Sequence, residues 1–214
     1  YSDHERLREM IRCGARNFCE RLDEEIEVAA TLQTYSEEDS QPERLQDGKL
    51  SDLPVLTYHE RDGAPYITSG IFLACDPETG VPNLSFHRSM VISDTELRIR
   101  LGSSHDLAHY QLAAERQGKA LEAAILIGAP PEVFISACVS LPPQANELAL
   151  AAAIRGGPLR TRRCQTINLS VPAATDIVIE GRILPNVRRP EGPFGEFMGY
   201  YVEVGENHVF EVTH

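Results

Sequence analysis

Two glutamates on either side of a short turn are the residues of this sequence whose type and spacing most directly indicate chemistry. They lie in RRPEGPFGEFMGYY, residues 188–201, where Gly-Pro-Phe-Gly separates Glu191 from Glu196. When two carboxylates share an arginine, one can stay ionised in the ion pair while the other, desolvated beside a like charge, holds a proton at neutral pH. The segment therefore fits a general acid with its partner, and by itself it fits a surface turn with two solvated glutamates at least as well.

A run further upstream offers an arginine for such a pair. NLSFHRSM has the alternation of a β-strand, which would place Asn83 and His87 on one face and Leu84, Phe86 and Arg88 on the other. An arginine on an inward apolar face requires an acidic partner, whereas an arginine on an edge strand does not. The pattern alone leaves both possibilities open for Arg88.

Two further groups of residues could either bind a metal ion or simply stabilise the helix on which they lie. His105 and His109 have the i, i+4 spacing of one helix face, but no glutamate follows the first histidine and no third ligand is implied. Glu147 follows Asn146, which is a good N-cap, so a favourable interaction with the helix dipole is enough to explain it. The pattern assigns no function to either group.

The elements that would have to position these residues are mainly short strands. A helix is predicted over residues 4–22, a short strand in EIEVAATLQT, and a loop or linker over residues 35–52. From Leu53 onward, β-branched and aromatic runs between turns predict an antiparallel sheet or barrel. Its strand segments are LPVLTYHE, APYITSGIFLACD, NLSFHRSMVI, ELRIRLG, EAAILIG, RCQTINLSV, DIVIEGRIL and HVFEVTH. The helices HDLAHYQLAAERQGKAL, APPEVFISAC and NELALAAAIRGG are inserted among them, which predicts an α+β fold.

The composition is that of an ordinary globular protein. Of its 214 residues 42% are hydrophobic and 24% charged, no apolar run is long enough to span a bilayer, and no secretory leader is visible. The net charge of −12 argues against nucleic-acid binding, which needs a basic stripe. The five cysteines are scattered and form no C-x-x-C pair, which is typical of reduced thiols in a cytosolic protein.

The turn EGPFGE with the following GYY resembles the UbiD-type reversible decarboxylases, which use prenylated FMN. LPVLTYHERDGAPYITSG is similar to the start of that family's central domain, DPETGVPNLSFHR to its flavin-binding strand, and VPAATDIVIEGRI to the run before its acidic turn. The resemblance extends from about Leu53 to His214. It implies a flavin-binding split β-barrel core with flanking and inserted helices, preceded by the remnant of a small α/β domain.

The resemblance also implies how the chain is divided. Residues 1–34 would be an N-terminal helix and strand from the α/β domain, residues 35–52 a linker, and residues 53–214 the central flavin-binding domain. The family's C-terminal oligomerisation domain would be absent.

Carried over residue by residue, the resemblance implies roles for the candidates above. The family's catalytic Glu–Arg–Glu network falls on Glu191, Arg88 and Glu196, with Glu196 as the proton donor. Its divalent-metal ligands fall on Asn83, His105 and Glu147, a set that suits Mn²⁺ or Mg²⁺ next to the flavin phosphate, and a potassium ion often lies nearby. The implied cofactor-binding set comprises Asn83, Phe86, His87, Arg88, Arg100, Leu101, Ser104, His105 and Glu147.

The function that follows from the resemblance is that of a carboxy-lyase. It would reversibly decarboxylate an α,β-unsaturated or aromatic carboxylic acid without net oxidation. The alternatives are a non-catalytic flavin-binding or assembly module and a split-barrel FMN reductase, although hydride transfer needs no pair of glutamates. A flavin prenyltransferase as cofactor supplier, a homo-oligomeric full-length form and a cytoplasmic location are also implied, with neither a nucleic-acid partner nor a membrane span.

Overall fold

The computed structural model of the chain describes residues 17–32, 34–38, 46–142 and 145–214. The helices in these ranges are α1 (Phe18–Thr31), α2 (Asp106–Arg116), α3 (Pro131–Ala137) and α4 (Glu147–Arg155), with a 3₁₀ turn at Leu50–Asp52. The strands are β1 (Ser36–Glu38), β2 (Tyr66–Ile67), β3 (Ile71–Cys75), β4 (Pro82–Phe86), β5 (Ser89–Ser93), β6 (Glu96–Ile99), β7 (Leu121–Ile127), β8 (Leu159–Arg163), β9 (Ser170–Pro172), β10 (Ile177–Glu191), β11 (Phe194–Gly195), β12 (Tyr201–Val202) and β13 (Gly205–Val212).

Eight of these strands form one antiparallel sheet in the order β2-β5-β6-β13-β10-β7-β3-β4. The chain passes from β4, at one edge, to β5, next to the other edge, through His87 and Arg88 alone. Three Cα–Cα steps of about 3.8 Å keep Phe86 and Ser89 within about 11 Å of each other, so the sheet must curl until its edges approach. The predicted α+β fold with a split-barrel core is confirmed, and Arg88 lies where the two edges come together.

The interior of the curled sheet is filled by strand side chains and by one face of α2. The buried residues of α2 are Leu107, Tyr110, Gln111 and Ala114, and their i, i+3, i+4, i+7 spacing is that of a single helix face. Each fully buried aliphatic or aromatic side chain is stabilised by roughly 1.5–3 kcal/mol relative to an exposed one. The strand residues of this cluster include Phe72, Leu97, Ile99, Ile125, Ile183 and Phe210.

Helix α4 packs on the other face of the sheet and carries Glu147 at its first position. The Oδ1 atom of Asn146 caps the helix by accepting hydrogen bonds from two backbone N–H groups of the first turn, and Gly156 ends it in the left-handed region at φ 76°. The cap that the sequence predicts is therefore confirmed. The apolar cluster at this face joins Leu148, Ala151 and Ala152 of α4 to Leu84 of β4 and Leu126 of β7.

Helix α1 occupies most of the EIEVAATLQT segment, so the short strand predicted there is wrong. Leu22, Ile26 and Ala29 have helical spacing and pack against Leu150 and Ile154 of α4. The sequence of EIEVAATLQT alone does not show that α4 will pack against it, and this packing is what makes the segment a helix. Of the helix predicted over residues 4–22, the part before residue 17 lies outside the described residues.

Three other segments differ from the sequence prediction. Strand β1 lies inside the predicted linker and pairs in parallel with β8, although two of its three residues are exposed glutamates with no apolar alternation. LPVLTYHE contributes only a single bridge, between Leu56 and Tyr66, because the N–H groups of Tyr58 and His59 donate to the carboxylate of Asp62 and not to a neighbouring strand. RCQTINLSV is divided between β8 and β9 by a turn. The division of the chain into domains stays a prediction.

Candidate active site

Arg88 lies in the connection between β4 and β5 and joins the two glutamates of the turn. Its Nε and Nη2 atoms donate to Oε1 and Oε2 of Glu191 at 2.9 and 3.1 Å, and its Nη1 atom donates to Oε1 of Glu196 at 2.5 Å. The forked contact with Glu191 is the strong form of an arginine–carboxylate interaction. The side chain of Arg88 is 10% exposed, so it is the inward arginine with acidic partners and not the edge-strand alternative.

Glu191, the last residue of β10, is a fully buried carboxylate. Besides the two bonds from Arg88, it accepts a hydrogen bond from the hydroxyl of Tyr66 at 2.9 Å and from Nδ2 of Asn207 at 3.0 Å. Burial, followed by the charge of Glu191, raises the pKa of Tyr66 above its usual value, which keeps the phenol protonated as a donor. Four donors thus offset the cost of burying this carboxylate.

Glu196 has quite different surroundings. It follows β11, its side chain is 29% exposed, and in the described part of the chain its hydrogen bond to another side chain is the one from Arg88. The two glutamates therefore share one arginine but differ in access to solvent and in the number of donors. This arrangement suits one permanent carboxylate and one group that exchanges protons.

The hairpin that carries Glu196, residues 191–202 and here named the acidic hairpin, depends on two glycines. Gly192 has φ 101°, which favours glycine, and a Cβ at Gly195 would lie 2.5 Å from Nδ1 of His59. Phe194 between them lies under the guanidinium of Arg88, with its ring centroid 4.6 Å from Cζ. The glycines of the sequence motif thus permit the turn and a close approach to a neighbouring loop.

An open pocket of ≈ 370 Å³ lies over the outer side of this network. This volume is in the range of small-molecule sites. Arg88 and Glu196 reach the pocket, so a ligand there can contact both. The other lining residues are Tyr58, His59, Thr68, Phe194, Gly195 and Phe197.

A second polar cluster joins two of the residues that the resemblance implies as metal ligands. Nδ2 of Asn83 donates to Oε1 of Glu147 at 3.2 Å, and the backbone N of Leu84 donates to Oε2 at 3.3 Å. Both side chains are buried, and burial raises the pKa of Glu147 to about 7. No salt bridge to Glu147 exists among the described residues, so this buried carboxylate lacks a cationic partner of its own.

A chain of polar contacts extends from Asn83 to His105, the third implied ligand. The hydroxyl of Ser85 donates to Oδ1 of Asn83 at 2.9 Å and lies 2.9 Å from Nε2 of His87, whose ring is 5.2 Å from that of His105. His105 is exposed at the start of α2 and makes no capping bond with its side chain. Asn83 and Glu147 are thus in direct contact, and His105 approaches them through Ser85 and His87. As a donor set, an amide, an imidazole and a carboxylate fit Mn²⁺ or Mg²⁺.

The remaining residues implied for cofactor binding surround the β4–β5 connection. The carbonyl of Arg100 lies 3.2 Å from Nδ1 of His87, and its N–H donates to the carbonyl of Arg88 at 3.3 Å. Ser104 is exposed just before α2, an 11-residue helix whose N-terminus can attract an anion. Phe86 and Leu101 are partly buried. Of this predicted set, Arg100 contacts His87 and the backbone of Arg88 in the β4–β5 connection, and the types of side chain in the set suit a phosphorylated flavin.

Some residues of the site were missed by the sequence analysis. Tyr66 and Asn207 are hydrogen-bonded to Glu191 across sequence separations of 125 and 16 residues, and no motif links either of them to the turn. Phe194, by contrast, lies inside the turn EGPFGE, so the sequence motif already indicates that this ring is close to the site. His109, the other half of the i, i+4 pair, reaches the metal-type cluster only through its backbone N–H, which donates to the carbonyl of His105 at 3.4 Å, and among the described residues its side chain makes no hydrogen bond or ion pair with the cluster.

The fold and the site can be compared with known proteins. The UbiD family profile, described as 3-octaprenyl-4-hydroxybenzoate carboxy-lyase Rift-related domain, matches residues 33–214. The chain belongs to the UbiD family. The match includes every candidate site residue of this UbiD-family chain, and the family predicted from the acidic turn is confirmed.

Individual UbiD relatives agree with this assignment. Anhydromevalonate phosphate decarboxylase of Methanothermobacter thermautotrophicus is 36% identical over 208 residues, which cover 97% of this chain and 48% of that protein. The UbiD-class enzyme HmfF from Pelotomaculum thermopropionicum, solved in complex with FMN, has a TM-score of 0.85 at 35% identity, covering 100% of this chain and 48% of its own. Vanillic acid decarboxylase of Sedimentibacter hydroxybenzoicus has a TM-score of 0.80 at 27% identity, covering 95% and 46%. The chain thus spans about half the length of the relatives it matches.

Within the described ranges of this UbiD-family chain, no helix is both long enough and apolar enough to cross a bilayer.

Proposed function

We propose that this chain forms the prenylated-FMN site of a carboxy-lyase that reversibly decarboxylates an α,β-unsaturated or aromatic carboxylic acid. The observation that carries the proposal is the Glu191–Arg88–Glu196 network at the wall of an open pocket. Solved relatives support the choice of cofactor, since HmfF has been solved in complex with prFMN and with FMN.

Arg88 would hold the carboxylate of the substrate. Its guanidinium is kept in one orientation by the forked contact with Glu191 and by the ring of Phe194 below it, so its remaining N–H groups can pair with the carboxylate of the substrate. Tyr66 and Asn207 support this arrangement because they occupy the remaining lone pairs of Glu191. Glu191 then serves as a fixed anion that neutralises Arg88.

Glu196 would be the proton donor. When the bond between the carboxyl carbon and the α-carbon breaks, CO₂ leaves and a proton from Glu196 takes its place on the carbon. Solvent access through the pocket would allow Glu196 to be reprotonated, and the reverse sequence would describe carboxylation. When bound, prenylated FMN would supply an electron-poor ring that stabilises the electron pair left on the α-carbon when CO₂ departs.

Asn83, His105 and Glu147 would hold Mn²⁺ or Mg²⁺, and Phe86, His87, Arg100, Leu101 and Ser104 would surround the cofactor next to it. The supporting observations are the exposed N-terminus of α2 and the buried carboxylate of Glu147, which has no cationic partner among the described residues. The metal would supply positive charge to the flavin phosphate. A potassium ion nearby would be consistent with the same proposal.

The source of the cofactor, the location and the oligomeric state are proposed from the resemblance to the UbiD family. The cofactor would come from a flavin prenyltransferase, and the protein would work in the cytoplasm as a homo-oligomer. One HmfF structure is of an evolved dimeric form, which supports assembly in the family but assigns no state to this chain.

The decisive experiment is to produce the protein together with a flavin prenyltransferase and to determine its cofactor by mass spectrometry. Bound prenylated FMN with Mn²⁺, and CO₂ release from a panel including anhydromevalonate phosphate and vanillic acid, would support the proposal. Plain FMN with NADH oxidation would instead support a split-barrel reductase. A protein that binds prenylated FMN but decarboxylates no acid would support a non-catalytic module.

A further inference from the structure

We infer that Asp62, a carboxylate outside the Arg88 network, is a positioning residue that holds Glu196 in place. It ties residues 58–63, named here the 58–63 loop, to the acidic hairpin. The inference concerns the same site and rests on the proposed role of Glu196 as proton donor.

Asp62 bonds to both segments at once. Its Oδ1 atom accepts a hydrogen bond from the backbone N of Gly195 at 2.8 Å, on the hairpin. Its Oδ2 atom accepts from the backbone N of His59 at 2.9 Å and of Tyr58 at 3.1 Å, on the loop. The side chain is 0% exposed, and Nδ1 of His59 is 3.8 Å away, beyond hydrogen-bond distance. Three backbone N–H groups therefore stabilise this buried carboxylate.

The loop and the hairpin also touch backbone to backbone. The N–H of Gly63 donates to the carbonyl of Pro193 at 2.9 Å, and a Cβ at Gly63 would lie 2.3 Å from the carbonyl oxygen of Gly192. At the far end of the hairpin, the N–H of Arg61 donates to the hydroxyl of Tyr201 at 3.0 Å. The loop is thus seated along the hairpin, and Asp62 is the side chain at the centre of the contact.

This contact bears directly on the proton donor. Gly195 immediately precedes Glu196, so the bond from Asp62 fixes the backbone from which Glu196 projects. The same carboxylate fixes the backbone of Tyr58 and His59, which also line the pocket. An error of about 1 Å in the position of a reacting group can cost about 100-fold in rate. Asp62 can therefore affect proton transfer without touching the substrate.

Asp62→Asn is the sharpest test because it keeps the shape of the side chain. A carboxylate can accept at both oxygens, whereas an amide presents one acceptor and one donor. The variant must therefore turn an NH₂ group towards either Gly195 on the hairpin or the two loop N–H groups. The hydrogen bonds to one of the two segments are lost while the volume of the side chain stays the same.

Glu180→Gln is the matched control. Glu180 is also buried, and its carboxylate accepts hydrogen bonds from the backbone N of Gln165 at 2.8 Å and of Thr166 at 2.7 Å. It lies eleven residues before Glu191 on β10, at the opposite end of that strand. The substitution makes the same chemical change at a distance from the pocket.

Hydrogen–deuterium exchange tests whether Asp62 holds the 58–63 loop to the acidic hairpin, and it does not require catalysis. In Asp62→Asn we expect amides of the 58–63 loop and of residues 194–202 to exchange at least tenfold faster together, while Glu180→Gln changes exchange near residues 165–166. Unchanged exchange in the hairpin would overturn the inference. Should Asp62→Asn fail to fold, Gly63→Ala is the second variant. Its Cβ would clash with the carbonyl oxygen of Gly192 and push the loop from the hairpin, so exchange must rise in the same two segments.

Kinetics then test the link to proton transfer. We expect Asp62→Asn to lower kcat between tenfold and 100-fold and to show a larger solvent deuterium isotope effect on kcat than wild type, because proton transfer becomes rate-limiting. An isotope effect equal to that of Glu180→Gln would overturn the positioning role. A fully active Glu196→Gln variant would instead overturn the proposed function, and the exchange result for the loop and hairpin would still stand.

Discussion

Glu191 and Glu196 contact the same guanidinium, yet their surroundings give them different properties. Glu191 is fully buried and receives hydrogen bonds from Arg88, Tyr66 and Asn207. Glu196 faces an open pocket and receives one from Arg88. Of the two, only a group with solvent access and spare lone pairs can lose a proton in every cycle and regain it. The proposed proton transfer is therefore assigned to Glu196 and not to Glu191.

Glu196→Gln should keep the cofactor and abolish turnover. The amide preserves the side-chain volume and a contact with Arg88 but has no acidic proton to transfer, so kcat should fall by at least about 100-fold. Flavin absorbance and metal content should match wild type. Glu206→Gln, at an exposed position of β13, should leave kcat unchanged. Full activity of Glu196→Gln would remove this residue from the mechanism.

Arg88→Ala should cost both stability and function. It leaves Glu191 buried without its cationic partner, a change that typically destabilises a protein by about 3–5 kcal/mol. We expect a lower Tm by circular dichroism, loss of retained flavin and loss of decarboxylation. Arg116→Ala, at an exposed position in the last turn of α2, is the control. An unchanged flavin spectrum in Arg88→Ala would contradict the placement of Arg88 beside the cofactor.

At the scale of elements, an irregularity in β10 decides which way Glu191 points. Between Ile183 and Arg188, β10 contains three more residues than the facing part of β13, and Asn186 has φ 56° there. An odd number of extra residues moves the following side chains to the opposite face of the sheet. Glu191 thereby leaves the face of Ile183, which packs in the core, and reaches Arg88. Helix α2 stabilises the irregularity through Glu115.

Glu115→Gln should weaken this region and change its dependence on pH. Glu115 accepts from Arg188 at 2.8 Å, from Gln111 at 2.9 Å and from the N–H of Asn186 at 3.0 Å. Burial alone would raise the pKa of Glu115, but these bonds lower it to about 2. A depressed folded-state pKa contributes stability that is present above pH 4.5 and is lost as the pH falls towards 2.

The measurement is thermal unfolding as a function of pH. At pH 7 we expect Glu115→Gln to lower the free energy of unfolding by roughly 2 kcal/mol, allowing for solvent screening of the partly exposed Arg188, and Tm by roughly 4–8 °C. The difference from wild type should shrink between pH 4.5 and 2. Glu132→Gln, which breaks the exposed pair with Arg155, should cost less than about 1 kcal/mol. A difference that does not vary with pH would contradict this account.

At the scale of the whole molecule, the site exists because distant parts of the chain meet at the split of the barrel. Arg88 and Glu191 are 103 residues apart, and Tyr66 and Glu191 are 125 apart. The implied metal ligands lie on β4, immediately before α2, which packs inside the barrel, and on α4 outside it. A metal held by all three would connect the two layers that pack on opposite faces of the sheet.

Adding Mn²⁺ should therefore stabilise the fold as a whole. At a free concentration 100 times Kd, a single site on the folded state contributes about 2.7 kcal/mol. We expect a rise in Tm that Glu147→Gln removes and that His109→Gln, at the histidine outside the cluster, retains. Calorimetric titration should give one site per chain. An equal rise in Tm for Glu147→Gln would show that the ion binds elsewhere.

The residue types and local patterns of the chain were enough to predict much of this protein. Most strands and helices after Leu53, the cap at Asn146, the tight turn around Gly192 and the family follow from short segments, because side-chain alternation, capping and turn conformation are local properties. LPVLTYHE and RCQTINLSV are the exceptions among the strands predicted after Leu53. Short segments also identified Glu191 and Glu196 as candidates and Arg88 as a possible partner.

Non-local packing decided the rest. The helix over Glu25–Thr31 depends on contacts with α4, and the inward direction of Arg88 depends on the curl of the sheet. The difference between the two glutamates depends on Tyr66 and Asn207, and the placement of the acidic hairpin depends on Asp62. Each of these contacts joins residues that no spacing rule connects, since burial and hydrogen bonding are set by whichever surfaces the completed fold brings together.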